Sequence, residues 1–336
     1  MSVARTANPT LHDHLAAPLH LGEPDIHGPL AVFPIFGPAT QLEYVSFAQA
    51  HAAGVAVKEM EGRAQVNDLL VINPTDTPVL LFEGEEVLGA QQNRTFDTSV
   101  LVPARSQLQV PVSCVEAGRW DGGRATEHFQ PAPQAAYPEL RRLKNQAVRQ
   151  SVAMGQEARA DQGAVWAEVA ARGHSMAAPA PTGAMHDVFE NSRSRLDEFC
   201  GAVRLHDGQI GALAAVGGEL TVLDHVSRPD VFAVLHGPLV QGYALDALAA
   251  ADGAAPSAED ANAFLQRIMT ARLSEHDGIG MGRDVRFTAA GVGGAGLVAG
   301  EELVQLSAFA EDGEGPCSGE AGPATRIRRP SRRRIA

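Results

Sequence analysis

Between Pro29 and Val115 the chain never runs far without a Gly, Pro, Asn or Asp, and the stretches between these breaks are short and rich in β-branched residues. VAVKEM (55–60), LLVINP (69–74), PVLLF (78–82), EVLGA (86–90) and QLQVPVSCV (107–115) are runs of this kind. Such punctuation leaves no room for a long helix and calls for a sheet of short strands. From Tyr137 to about Ala171 the character changes. Good helix formers dominate, and Leu140, Leu143, Ala147 and Val148 recur close to helical spacing. A small-residue linker (174–184) leads to a second helical stretch, HDVFENSRSRLDEFC (186–200).

Strands return at GALAAV (211–216) and ELTVLDHV (219–226), which flank Gly217-Gly218, a two-residue hairpin signal. The stretch 228–250 has a helical pattern after an early Pro, with a break expected at Gly237-Pro238. A further helix is expected over 257–273. It opens with Ser257 and Asp260 at capping-box spacing, although Glu or Gln is usual at the second position. DVRFTAA and LVQLSAF close the pattern near Ala310. These signals predict an α+β fold of mainly antiparallel β-sheets with a central helical insert. The expected layout is a flexible arm (1–27), one domain (28–310) and a disordered basic tail (311–336). Within the domain, a β-rich first half (28–130) and a second α+β half (201–310) flank the insert (135–200). Residues 79–91 can be laid without a gap on 212–224, Gly84 falling on Gly217 and Glu86 on Glu219. If that is a duplication, it brings two polar segments to equivalent places about a pseudo-twofold axis.

Charge narrows the function classes. The net charge of −13 hides a tail, TRIRRPSRRRIA, with six arginines, so the remainder carries −19. An acidic body repels phosphate, which makes nucleic acid an unlikely partner. Three cysteines with no CxxC spacing fit neither a disulfide framework nor a structural zinc site, and suit a reducing cytoplasm. The N-terminus lacks the apolar core of a signal peptide, and no apolar run approaches the ~18 residues of a membrane span.

The polar groups crowd into FEGEEVLGAQQNR (82–94). Glu83, Glu85 and Glu86 are either solvated acids on a turn or convergent oxygen donors. If Gly84-Glu85 is the turn of a hairpin, Glu83 and Glu86 face each other and suit a general base or a divalent cation, Mg²⁺ or Mn²⁺. Arg94 is then a candidate to sit between them. Strand alternation would send Gln91 and Asn93 to one face and Gln92 and Arg94 to the other, so one face must bury amides or a guanidinium that need partners. Further on, Cys114 alternates with the apolar residues of its strand and reads as core. Glu116, Arg119 and Trp120 follow at the strand end as a charged pair beside an aromatic ring. His225 beside Asp224 is a weaker acid–base candidate, since neighbours on a strand point to opposite faces. GVGGAG (291–296) matches a dinucleotide-binding fingerprint only literally, because a strand rather than a helix follows it.

EGEEVLGAQQNR, TSVLVP, VPVSCVEAGRW and DQGAVWAEV, with GQIGALAAVGGELTVLDHVSRPDVF and PLVQGYALDAL later in the chain, resemble the family named for its association with ADP-ribosylglycohydrolases and rhodanese-phosphatases. The resemblance covers roughly residues 29–310. The family has no established biochemical function; its name implies, by association, work on ADP-ribose or related NAD-derived conjugates. Its motif falls here on Glu83, Gly84, Glu85, Gln91, Asn93, Arg94, Cys114, Glu116, Arg119 and Trp120. The basic residues expected before the Tyr of the second half are missing from GPLVQGYALDAL.

Two functions follow as expectations. One is a ligand-binding or accessory protein for an ADP-ribose-like metabolite. Arg94 and Arg119 would hold the diphosphate, Gln91 and Asn93 the ribose or base, with Glu116 and Trp120 beside them. Glu83, Glu85 or Glu86 would supply a base or a metal ligand. The other is a non-enzymatic module that binds a partner enzyme. Polar side chains meeting in one cavity would favour the first.

Overall fold

The structure, a computed structural model, describes residues 9–60, 67–124, 127–178 and 180–311. The basic tail from 312 onward and the first eight residues of the expected arm lie outside these. Residues 20–36 and 211–310 together build a nine-stranded sheet that is antiparallel throughout. Its centre is the hairpin Gly211–Val216 and Glu219–Val226, turning at Gly217-Gly218 as its sequence requires. The strand Leu30–Phe36 pairs with Gly211–Val216, so a segment of the first half is an inner strand of the second-half sheet. Part of the expected arm also belongs to the sheet. His20–Leu21 and Asp25–His27 pair with Leu30–Phe36, and Leu11 and Leu19 are buried.

A six-stranded sheet runs Gln130–Ala135, Glu85–Leu88, Arg94–Phe96, Ser106–Cys114, Asp68–Asn73 and Ala56–Glu59. A three-stranded sheet joins Val100–Val102, Val79–Leu81 and Val45–Ser46, the last pair parallel. The hairpin expected at Gly84-Glu85 does not form. Val79–Leu81 and Glu85–Leu88 belong to different sheets, and a tight turn from Phe82 to Glu85 passes the chain between them. The real hairpin pairs Glu85–Leu88 with Arg94–Phe96 around residues 89–93. The proposed duplication therefore fails in its first copy.

Six α-helices among the described residues complete the fold: α1 (Phe47–His51), α2 (Pro138–Ala153), α3 (Gln162–Ser175), α4 (Met185–Ala202), α5 (Pro229–Ala247) and α6 (Ala258–Met269). The long helical stretch from 137 splits into α2 and α3 because Gly155 takes φ +71° after α2. In contrast, α5 runs through Gly237-Pro238 without a break. Leu235, Leu239 and Val240 bury that part of the helix in the core, and burial offsets what proline costs a helix interior. Ser257 and Asp260 cap α6 reciprocally, Asp serving where Glu is usual.

The nine-stranded sheet is apolar on both faces. Alternation sends Val32, Ala212, Ala214 and Val222 toward α2, α4 and α5, and Phe33, Ile35, Leu213 and Leu223 toward α6. The same alternation puts Asp224 on the α2–α5 side and His225 on the α6 side.

Candidate functional site

Two buried polar systems stand out, one linking the sheets and one behind the turn 89–93 of the six-stranded sheet. The first centres on Arg141 of α2, which is fully buried. It donates from Nε and Nη2 to Glu83 (3.0 and 2.8 Å), from Nη1 and Nη2 to Asp224 (2.8 and 2.6 Å), and to Ser307 Oγ (3.0 Å). Tyr243 of α5 donates to Asp224 Oδ2 at 2.7 Å. One turn along α2, Lys144 donates to Phe96 O at 2.8 Å and stands 3.3 Å from Asp97. Gly84 makes room for this hub, since a Cβ there would lie 2.7 Å from the Arg141 side chain, and its φ of +84° suits glycine. Sequence reasoning missed Arg141 and Lys144. Their signal was spacing: 141, 144 and 148 share one helix face, and Val148 on it is core.

The three glutamates are buried, not solvated, and they diverge. Glu83 belongs to Arg141. Glu85 accepts from Phe82 N at 2.7 Å, and burial raises its pKa to about 7. Glu86 meets Gln134 at 2.5 Å, and burial raises it to about 8 with the negative charges of Glu116 and Asp187 adding to the effect. Arg94 does not stand between Glu83 and Glu86. Three carboxylates with three separate partners do not make the convergent oxygen set a divalent ion needs. Among the described residues no group of three or more His, Cys, Asp or Glu could hold a metal.

The second system is built on the turn 89–93. Gly89 has φ +122° and Ala90, fully buried, φ +43°. A non-glycine residue in that region is strained unless its surroundings hold it, and here the strand end 116–121 does so. Arg119 donates to Ala90 O (2.8 Å) and Asn93 Oδ1 (3.0 Å) while pairing with Glu116 at 2.7 Å. Glu116 accepts from Asn93 N (3.1 Å) and Thr182 (2.8 Å), and Gln92 donates to the Glu116 carbonyl at 3.0 Å. Although burial acts against it, these bonds to Arg119, Thr182 and Asn93 hold the Glu116 carboxyl below its ordinary range.

Arg94 lies behind this turn with no exposed surface. Its Nη1 donates to Gln92 Oε1 at 2.9 Å, while Nε and Nη2 have no hydrogen-bond partner and Glu59 Oε1 stands 3.8 Å from Nη2. Gln91 Oε1 and Glu59 Oε2 are likewise buried without partners. Trp120, 49% exposed, covers the guanidinium with its ring centroid 5.9 Å away. Cys114 is fully buried in the core, as its alternation predicts. Neither ring nitrogen of the buried His225 has a hydrogen-bond partner, and burial lowers its pKa to about 4; Asp224 serves Arg141 instead.

In front of the turn lies a cleft of about 770 Å³, within the range of small-molecule sites. Of the residues singled out in the sequence, Asn93 and Arg119 line it; Gln91, Arg94 and Glu116 form the buried layer behind. Leu88 and Gly89 complete that wall, and Arg124, Glu127, His128, Gln130 and His186 supply the rest. Arg124 is paired with Glu127 at 2.7 Å on the exposed rim. His186 lies in the first turn of α4, whose first residue Met185 donates its N–H to Val115 O at 2.8 Å. Gln134 touches both Glu86 Oε2 (2.5 Å) and His186 Nδ1 (2.8 Å). Isolated histidines and glutamines in helical and loop segments gave the sequence no signal for this meeting.

No helix among the described residues is long and apolar enough to cross a membrane. No curated protein and no solved structure matches the chain. The family described as the ARG and Rhodanese-Phosphatase-superfamily-associated Protein domain, ARPP-1, matches residues 18–309, and with nearly its whole length covered the chain belongs to that family.

Proposed function

We propose that the cleft in front of the 89–93 turn binds a nucleotide-derived metabolite of the ADP-ribose kind. The supporting observation is the meeting of Asn93 and Arg119 with Arg124, His128, Gln130 and His186 in one cleft of ligand size. Asn93 and Gln130 offer amides to hydroxyls or a base edge. Arg124 and the two histidines offer cationic or donor groups to a diphosphate. Among the described residues Arg124 is held by a rim pair with Glu127, the kind of pair that contributes little and is easily exchanged for a ligand oxygen. Arg119 has its donors committed to the turn and acts as a brace, and Arg94 acts from behind it. The ADP-ribose class itself rests on the company named in the family description.

Thermal unfolding against ADP-ribose, NAD, ADP and ribose phosphate, with and without Mg²⁺ or Mn²⁺, tests this. A ligand at 100 times its dissociation constant adds about 2.7 kcal/mol, a shift of several degrees. Gln130→Ala and Arg124→Ala, which leave the brace intact, are expected to remove the shift. No shift with any of the four from folded protein would reject the ligand reading in favour of a partner-binding module.

A further inference from the structure

Gln134 stands between a carboxyl group and an imidazole. Its Nε2, as placed, lies 2.5 Å from Glu86 Oε2 and 2.8 Å from His186 Nδ1, and its Oε1 has no partner. A contact of 2.5 Å is too short for N–H···O, whose range is about 2.7–3.2 Å, but falls within the range of about 2.5–3.0 Å for O–H···O. The two ends of an amide are told apart by their hydrogen bonds. With the amide turned over, its oxygen accepts from a protonated Glu86 at 2.5 Å and from His186 Nδ1–H at 2.8 Å, and both distances become ordinary, while its Nε2 takes the buried position that has no protein partner. Glu86 has the surroundings of a protonated acid: it is 1% exposed, its Oε1 has no partner, and the charges acting on it are the carboxylates of Glu116 and Asp187.

We propose that His186 is a general base of the cleft, fixed with its proton on Nδ1 by the amide oxygen of Gln134, which Glu86 in turn orients by donating its carboxyl proton. The inference rests on the ligand reading of the cleft. It adds that the bound molecule, or a water beside it, presents a hydroxyl to a bare Nε2. In the step, the hydroxyl O–H bond breaks, the oxygen keeps the electron pair, and an Nε2–H bond forms. The imidazolium so formed faces Glu190, whose Oε1 is 3.8 Å from Nε2 and also pairs with Arg193, with Asp187 next to it on α4. The other charged groups at the cleft are Glu116 and Arg119 from the strand end, and Arg124 and Glu127 on the rim. His186 would touch the substrate, whereas Gln134 and Glu86 are positioning residues. A neutral amide suits the relay, since a carboxylate in its place would favour the charged imidazole.

The test is a long-range ¹H–¹⁵N correlation spectrum of the whole chain labelled at histidine, at pH 7, with His186 identified by the signal lost in His186→Asn. The expected result is a neutral ring protonated at Nδ1, the opposite of an exposed histidine. Gln134→Leu and Glu86→Met are expected to lose that preference. Glu86→Gln, whose amide still donates, is expected to keep it. Finding the wild-type proton on Nε2 overturns the proposal without any variant, and so does an Nδ1–H signal indifferent to both disruptive changes. The spectrum needs no ligand, so its outcome is separate from the thermal-shift result. A fixed Nδ1–H with no response to ADP-ribose keeps the base and rejects the ligand class.

Discussion

Arg141 and Arg94 are both arginines with no exposed surface, and they sit in opposite circumstances. Every nitrogen of Arg141 has a partner, drawn from the turn at Glu83, the hairpin strand at Asp224 and the last strand at Ser307. Arg94 has one hydrogen bond, to Gln92, and an unfilled Nε–Nη2 edge. A buried polar group that is fully satisfied holds a scaffold together. One left unsatisfied in a native interior calls for another explanation, and a functional site or bound water is the usual one. The first arginine joins the two large sheets; the second lies behind the wall of the cleft. Glu59, whose Oε1 stands 3.8 Å from Arg94 Nη2, and Gln91, whose N–H donates to Glu59, also keep buried atoms without partners.

Arg141→Met should produce the largest effect. Removing one partner of a buried, hydrogen-bonded pair costs about 3–5 kcal/mol, because the remaining charges, here Glu83 and Asp224, stay buried alone. Urea unfolding measures it, and a loss below about 1 kcal/mol would dissolve the distinction between the two regions.

Glu86 gives the next effect, through pH. Its pKa is about 8 in the folded chain against an ordinary value of 4.5. Below pH 4.5 both states carry the proton and nothing is lost. Between those values the folded state keeps a proton that the unfolded state has released, so stability falls as pH rises. Glu86→Gln removes this dependence, and its stability relative to wild type should rise by up to about 1.4 kcal/mol per pH unit between pH 5 and 8. Glu85 is raised in the same direction but is common to both proteins and cancels. Parallel stability curves for the two proteins would mean that Glu86 is ionised in the folded state.

Arg94→Met is expected to cost about 2 kcal/mol, the scale of one hydrogen bond to a charged group, with Glu59 losing the cation 3.8 Å from it. A cost equal to that of Arg141→Met would place both arginines in the scaffold. The smallest effect is expected at Ala90. Changing a buried Ala to Gly forfeits about 0.8 kcal/mol of methyl burial and adds chain entropy to the unfolded state. Relief of the φ +43° conformation returns about 1–2 kcal/mol, so Ala90→Gly should be neutral to within about 0.5 kcal/mol. A clear loss would show that the turn is not strained.

Much of the fold was legible in the chain. Gly217-Gly218 between two alternating strands specified its hairpin, Ser257 and Asp260 marked the start of α6, and the alternation around Cys114 placed that thiol in the core. These signals act within a few residues, through backbone sterics and side-chain periodicity. The hairpin at Gly84-Glu85 was misread by the same local logic: a glycine turn between two apolar runs does not say whether the runs pair with each other. Tertiary competition sent Val79–Leu81 and Glu85–Leu88 to different sheets.

The site was legible only as composition. The stretch from Gln91 to Arg94 announced that polar groups must be buried or bound, and the strand end at Glu116 and Arg119 supplied the partners that hold Asn93. Which of these residues faces solvent, and which lies behind, depended on the direction of a five-residue turn. Gln134 and His186 were not legible at all, for each is an ordinary residue until the strand 130–135 and the start of α4 bring it within reach of Glu86. The sequence by itself determined where the chain must turn, alternate or coil, because those choices are made over distances of a few bonds. The tertiary structure alone decided that Glu83 meets Asp224 through Arg141, and that Glu86 meets His186 through Gln134. A hydrogen bond needs its partner within about 3 Å in space, and carries no requirement on how far apart the two lie along the chain.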